Sequence, residues 1–429
     1  MEDEEVKVER VMKRVYERRR LHLAWQQVKG NKGAAGIDDM TVEAFEEREE
    51  ELLDLIHDKL KAGTYRFKPA RRVMIPKPGS SKKRKLGIPV VMDRVVSQSL
   101  HLVLEEIYDG DFTPSNFGFR RGKSQHQAIQ HVRAGAKGGY EWCASIDLQS
   151  FFDEIPHPLI LRLIRRKIRD ESLTTLVARL LKAGVVVDGV LEKSPKGCPQ
   201  GSPVSPMLSN IVLNELDQEL EKRGHRYCRW ANDFVILLRS ERAARRTMEN
   251  ITEYLQNQLG LPVNLEKSQV ALLKDVEFLG FQILRGKIRL STKAKARFKQ
   301  EIRRLTPRNN GQSMYQVIRK LNAYLEGWVG YYRIQEFRKV FGELDGFIRS
   351  RLRSMQLKKW KKSAKFQRMM RRAGYSLVQA RRTWVKMTKW QSVSRPAVRF
   401  VLNLQWFRRQ GLLFLDDYIQ RNLKLEFAR

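Results

Sequence analysis

Apolar residues along the chain switch repeatedly between two spacings, and the switches outline the elements. Val6–Lys29 carries apolar positions at helical spacing, then comes a Gly-rich loop, Gly30–Gly36 (GNKGAAG), and a second helical stretch, Val42–Leu60. Arg71–Pro89 (RRVMIPKPGSSKKRKLGIP) predicts two short strands around a basic, Gly/Ser-containing connection, which is a hairpin pattern. Arg94–Ile107 returns to helical spacing, Asn116–Lys123 (NFGFRRGK) is a Gly-punctuated turn, and His126–Gly135 is helical again. In Cys143–Glu154 (CASIDLQSFFDE) a strand-like run ends at Asp147.

Helical spacing resumes over His157–Ala183, and Gly184–Leu191 (GVVVDGVL) predicts a small hairpin around Asp188-Gly189. Gly197–Leu216 (GCPQGSPVSPMLSNIVLNEL) opens with three prolines and two glycines, a rigid loop leading onto an apolar helix. In Tyr227–Ser240 (YCRWANDFVILLRS) two apolar strand-like runs meet at Asn232-Asp233. Ala243–Leu259 is helical, Pro262–Val270 extended, and Val276–Leu284 another strand candidate. From Ser291 onward basic amphipathic helices dominate: Lys293–Leu305, Tyr315–Tyr332 and Val340–Lys359. A looser basic segment, Ala364–Lys389, precedes Val398–Arg429, and no period of 20–50 residues marks a solenoid.

Charge changes the picture. Lys and Arg number 83 against 48 Asp and Glu, a formal charge of +35 that repels itself unless a polyanion is present. Nucleic acid is therefore the expected partner. A membrane surface is the competing reading, but no apolar run approaches the ~20 residues of a spanning helix. The first residues, MEDEEVKVER, match neither a signal nor a transit peptide, and Cys143, Cys198 and Cys228 show no paired spacing. These features predict an intracellular, cytoplasmic protein, nucleoid-associated when it acts on DNA, without a disulfide framework.

Asp147 at one strand end and Asp233 at a hairpin are the chemical candidates. Phosphodiester synthesis needs one metal to activate a 3′-hydroxyl and a second to support the leaving pyrophosphate. Hard cations such as Mg²⁺, with Mn²⁺ as a substitute, take oxygen ligands and keep several waters, so two or three carboxylates suffice. Taken singly, Asp147 also fits a solvated strand end, and Asn232-Asp233 a good turn.

In order, RRVMIPKPGSSKKRKLGIP, SNFGFRRGKSQHQAI, IDLQSFFDEIPH, GCPQGSPVSPMLSNIVLNELD, RWANDFVIL, VNLEKS and EFLGF resemble the consecutive reverse-transcriptase blocks of group II intron-encoded proteins. GNKGAAGIDDMTVE is similar to that family's N-terminal extension, and the resemblance covers roughly residues 20–360. It implies an α+β, right-hand polymerase: fingers and palm with the extension over residues 1–290, a helical thumb or domain X over 291–363, and a basic DNA-binding region over 364–429. Asp147 takes the place of the first metal-binding aspartate, with the Leu148 backbone carbonyl also reaching a metal. Asn232 and Asp233 occupy the two aspartate positions of the usual YADD motif, and Trp230 replaces its tyrosine. The resemblance further implies that Phe152 lies under the sugar of the incoming dNTP, disfavouring a ribose 2′-hydroxyl. Lys77 and Arg84 would hold the triphosphate, Gln200 contact the nucleotide, Lys267 lie near the active site, and Leu279-Gly280 support the primer end. Five further Lys/Arg in the same hairpin keep a generic phosphate-tracking role open for Lys77 and Arg84.

Asn232 removes one negative charge from the expected metal pocket. A unit charge at ~4 Å is worth about 4 kcal/mol at an effective dielectric of ~20, enough to weaken or empty one metal site. In the C-terminal third, Arg349–Lys362 carries seven basic residues and no acid: Arg349, Arg351, Arg353, Lys358, Lys359, Lys361 and Lys362. This pattern predicts an RNA-backbone tract with salt-dependent binding. Trp328, Tyr331 and Tyr332 in LNAYLEGWVGYYR are expected to pack a core, with stacking platforms for bases as the alternative. Some relatives end in an HNH-type endonuclease; without Cys pairs or clustered His, none is expected here. The leading expectation is an intron-encoded reverse transcriptase that binds group II intron RNA, promotes splicing and copies an RNA template from a DNA primer or target DNA during retrohoming. The alternatives are a splicing maturase whose polymerase is reduced or lost through Asn232, and a domesticated reverse transcriptase in repair or phage defence.

Overall fold

The computed structural model describes residues 7–76, 83–309, 311–360, 363–372, 374–385 and 396–427. The chain divides between Leu279 and Gly280 into two compact units. The first is mixed α and β, and the second is mainly helical.

At the centre of the first unit lies an antiparallel sheet in the order Gln269–Leu272, Trp142–Asp147, Asp233–Leu238, Arg226–Trp230. Alternation sends successive side chains to opposite faces. Ala144, Ile146, Phe234 and Ile236 join the main apolar core, which they share with the helices Val91–Tyr108, Ser205–Lys222 and Glu241–Asn257. On the other face, the helix Gln125–Lys137 covers one end. There Gly135 leaves no room for a Cβ beside Leu237, and the Cys228 thiol donates to the Ala128 carbonyl at 3.5 Å. The opposite end of that face carries Asp147 and Asp233 and stays open.

A second sheet, in the order Lys83–Ile88, Ala70–Pro76, Val185–Val187, Val190–Glu192, holds the basic hairpin. Asp188 (φ 48°) and Gly189 (φ 84°) both sit in the left-handed region, the two-residue turn expected of Asp-Gly.

Several elements break where the spacing alone predicted continuity. Val6–Lys29 becomes Val11–Tyr16 and Arg18–Gly30, because Glu17 is extended and its carbonyl starts the second helix by accepting from Arg20 and Leu21. Val42–Leu60 likewise becomes Val42–Glu46 and Glu49–Lys61. His157–Ala183 splits at Ile168–Arg169, which pairs with Val8–Glu9, and Asp170 then caps the helix Glu171–Lys182. Within Pro262–Val270 only Gln269 and Val270 belong to a strand, since Lys267 and Ser268 turn back to the Asn264 carbonyl. The strand expected over Val276–Leu284 starts only at Phe281, because Leu279 (φ 50°) and Gly280 (φ 80°) turn the backbone left-handed.

In the second unit the strand pair Phe281–Leu284 and Lys287–Leu290 precedes the helices Thr292–Leu305, Met314–Tyr332 and Lys339–Lys359. One apolar core runs through Phe298, Trp328, Phe341, Leu352, Phe366 and Phe407. By compactness the chain divides at Leu279, and Phe366, Met370, Phe407 and Phe414 lie in the same core as the preceding helices. The segment expected to be loose contains the helices Ser363–Arg372 and Leu377–Val385. Trp328 is buried against Phe298, with ring centroids 4.3 Å apart, as its packing reading requires.

Candidate active site

Asp147 and Asp233 are direct partners in the antiparallel register, so their side chains leave the same face of the central sheet. Asp233 reaches water, yet the protein packed around the turn strips part of its hydration and raises its pKa. The neighbouring Asp147 raises it further, and Lys267 opposes both. Lys267 sends its ammonium to 3.3 Å from Asp147 Oδ2. The Asn264–Ser268 turn also fixes the strand end: Ser268 Oγ accepts the Asp147 N–H at 3.0 Å, and the Asp147 carbonyl accepts from Asn264 at 2.8 Å. Leu148 faces Val263, while the flanking bonds run from Asn264 to Asp147 and from Gln149 to Pro262. In such a pairing the carbonyl of the middle residue points away from the partner strand, leaving that of Leu148 uncommitted to it.

The turn itself differs from its sequence reading. Trp230 pairs with Asp233, so Ala231 and Asn232 form the turn, and Asp233 is the first strand residue rather than a tip residue. Ala231 adopts φ 57°, an uncommon conformation for a residue with a Cβ. A buried network holds it there. Arg229 is fully buried, its Nη1 donating to the Ala231 carbonyl at 2.9 Å and to Asn210 Oδ1 at 3.0 Å. Its Nε and Nη2 bind the equally buried carboxylate of Asp217 at 2.8 and 2.5 Å. Asn210 in turn donates to the Gly118 carbonyl at 2.9 Å, and Gly118 sits so close to Ala231 that a Cβ would overlap its backbone. Sequence reading missed this network. Its signal was available: Asn210 and Asp217 are seven residues apart, hence on one face of the helix, beside the apolar Met207, Leu213 and Leu220.

The reverse transcriptase (RNA-dependent DNA polymerase) family profile matches residues 75–283, and the group II intron maturase-specific domain matches residues 295–374. Protein YkfC of Escherichia coli is 31% identical over 329 residues, covering 67% of this chain and 86% of that protein. The chain belongs to the reverse transcriptases that carry a group II intron maturase domain. The group II intron-encoded protein LtrA of Lactococcus lactis subsp. cremoris is 38% identical over 199 residues, which are 46% of this chain and 33% of LtrA. The match thus spans about a third of that relative. In this reverse-transcriptase family member, Asp147 and Asp233 fall inside the polymerase match.

Phe152, Gln200 and the base of the basic hairpin form a second cluster. Phe152 is half-buried, its ring 5.4 Å from that of Phe151, and its carbonyl accepts from Cys198 at 2.6 Å. Gln200 on the same loop donates to Asp153 Oδ1 at 2.9 Å. The basic hairpin is tied to this loop through Gly87, whose N–H donates to the Gln200 carbonyl at 2.7 Å. Arg84 is exposed on that hairpin opposite Ile75, and Lys77 lies outside the described residues. Leu279 closes the first unit and Gly280 opens the second.

The basic tract requires a correction. Arg353 is buried, donates to the Leu402 carbonyl at 3.0 Å and covers the Phe407 ring, so it is part of the core. Arg349 lies over Phe414, Arg351 donates to the Thr306 carbonyl at 2.7 Å, and Lys359 donates to the Gln312 carbonyl. Four of the seven cations thus fasten this unit internally. Lys358 is exposed, and Lys361 and Lys362 lie outside the described residues. A tract without acids reads as a one-sided surface, but guanidinium groups also bind carbonyls and rings. Among the described residues, no helix is long and apolar enough to cross a membrane.

Proposed function

We propose that this chain performs RNA-directed DNA synthesis in its first unit, acting as fingers and palm, and binds group II intron RNA with its second unit to promote splicing. The observation that carries the polymerase reading is the register pair Asp147–Asp233 on an open sheet end. Two facing carboxylates, one with a pKa raised by lost hydration and then by the charge of the other, form a hard-oxygen donor set that a divalent cation suits. Asp147, Asp233, the Leu148 carbonyl and the amide oxygen of Asn232 are the groups that would hold Mg²⁺ or Mn²⁺. Bound there, the metals supply activation of the primer 3′-hydroxyl and charge neutralisation at the pyrophosphate.

The chain's own residues do the positioning. Arg84 and Lys77 on the basic hairpin bind the triphosphate of the dNTP, and the Gly87–Gln200 bond brings that hairpin to the loop that contacts the nucleotide. Phe152 limits room at the sugar, and Leu279-Gly280 support the primer end. Lysine and arginine side chains exposed on the second unit, Lys358 among them, bind the RNA backbone, and residues beyond 364 assist target DNA in intron mobility. YkfC and LtrA are bacterial, so a cytoplasmic protein that joins the nucleoid on DNA is the fitting setting.

Asn232 favours a second reading, a maturase that has lost polymerisation. Primer extension on an RNA template with Mg²⁺ or Mn²⁺, comparing the parent with Asn232→Asp, separates the two. Synthesis by the parent supports polymerase function as it stands, and synthesis only after Asn232→Asp shows a site disabled by one residue. Splicing promotion without synthesis by either protein leaves the maturase reading.

A further inference from the structure

We infer that Arg229, Asp217 and Asn210 form a positioning device that sets the metal affinity of the Ala231–Asn232 turn, although none of them touches substrate or metal. This deepens the polymerase reading and rests on Asp147 and Asp233 being the metal-binding pair. Three observations converge. The Ala231 backbone stands at φ 57°, which a residue with a Cβ leaves readily unless its surroundings hold it. The group that holds it is the Arg229 guanidinium, bonded to the Ala231 carbonyl at 2.9 Å from a site with 0% exposure. The backbone of Arg229 is pinned as well: its N–H donates to the Ser115 carbonyl at 2.9 Å, and its carbonyl accepts from Phe117 at 2.9 Å.

The ion pair has an electrostatic consequence. A lone guanidinium behind the turn would repel any cation placed at Asp233. Asp217, bound to it through both carboxylate oxygens, cancels that charge while leaving Nη1 free to grip the turn. Arg229 therefore supplies geometry without charge. With Asn232 in place of a carboxylate, the remaining ligand Asp233 depends all the more on where the turn puts it.

The test replaces the pair with apolar groups, Arg229→Met combined with Asp217→Leu. Buried ion pairs exchanged in this way often keep their stability, so folding and positioning separate. Mn²⁺ binding to the free protein is followed by electron paramagnetic resonance, and amide exchange at residues 231–233 by NMR or mass spectrometry, in the parent and in the Asn232→Asp background. The expected result is a melting temperature within a few degrees of the parent, amide exchange at least ~10-fold faster, and a Mn²⁺ midpoint raised about fivefold or more. Should the double variant not fold, Asn210→Ala leaves the ion pair intact and is expected to raise the midpoint about two- to threefold. A folded variant with unchanged exchange and midpoint overturns the inference, as does a protein that binds no Mn²⁺ with either residue at 232. Shifted Mn²⁺ binding without primer extension leaves the inference standing and removes only the polymerase reading.

Discussion

Lys267 holds its ammonium 3.3 Å from the carboxylate of Asp147, the residue whose register partner is Asp233. If that carboxylate holds a divalent cation, as proposed, ammonium and metal compete. Lys267→Met should tighten Mn²⁺ binding to the free protein about two- to fivefold, since the loss of a nearby positive charge favours a cation. A titration with unchanged affinity would show that the two do not compete.

Asp147 stands at an open strand end and carries little of the core. Asp147→Asn should leave the melting temperature within about 2 °C while reducing primer extension by at least ~10³-fold, as expected when a metal ligand is lost. Adding a carboxylate at the turn works in the opposite direction. Asn232→Asp should lower the Mg²⁺ midpoint at least ~10-fold, a conservative fraction of the charge–charge energy available at that distance. The midpoint of the variant and that of the parent come from Mg²⁺ titrations of extension rate and of binding.

Gly118 abuts the Ala231 backbone, whereas Gly110 has nothing within 4 Å of a Cβ built there. Gly118→Ala should cost about 2–4 kcal/mol by forcing the turn and its neighbour apart, and Gly110→Ala should be nearly neutral. Denaturant midpoints measure both. Equal effects would mean that the close approach at Gly118 is not a constraint.

Asp345 is buried and accepts from the N–H groups of Leu415 at 3.0 Å and Asp416 at 3.3 Å, and loss of hydration outweighs these bonds, raising its pKa to about 6. Because folding raises this pKa, the folded protein binds more protons than the unfolded chain between ordinary carboxylate values and about 6. Stability should therefore fall as pH rises through that window, by roughly 3 kcal/mol at ~1.4 kcal/mol per pH unit. Asp345→Asn should flatten this slope in melting experiments between pH 4 and pH 7.

Arg353 and Lys358 lie on one helix but in different surroundings, one buried and one exposed. Arg353→Ala should destabilise the second unit by about 2–4 kcal/mol, through lost packing and unpaired carbonyls. Lys358→Ala should leave stability unchanged and reduce the salt dependence of RNA binding by about one phosphate contact, as counterion release requires. Melting curves and filter binding across a salt series distinguish them.

The sequence by itself determined the element types, the ordered polymerase blocks and the positions of both carboxylates. Those depend on local periodicity, turn chemistry and residue order, which a linear reading captures. The Asp-Gly turn at Asp188-Gly189 and the helix over Val340–Lys359 came out within a residue of their observed limits. Continuity was less legible. The break at Ile168–Arg169 answers to pairing with Val8–Glu9, and the left-handed bend at Leu279-Gly280 is a backbone turn; neither alters apolar spacing.

Only the tertiary structure decided what the charged residues do. Arg229 and Arg353 look like ordinary members of a basic chain, and each proves to be buried against partners distant in sequence: Asp217 and Asn210 for one, Leu402 and Phe407 for the other. A cation on a surface binds a polyanion, whereas a buried cation must be paired where it sits. Burial depends on which elements pack together, so composition pointed to a class of partner while packing decided which cations stay at the surface. The same holds for Asp147 and Asp233: residue order put both on the page, and the register of two strands put them face to face.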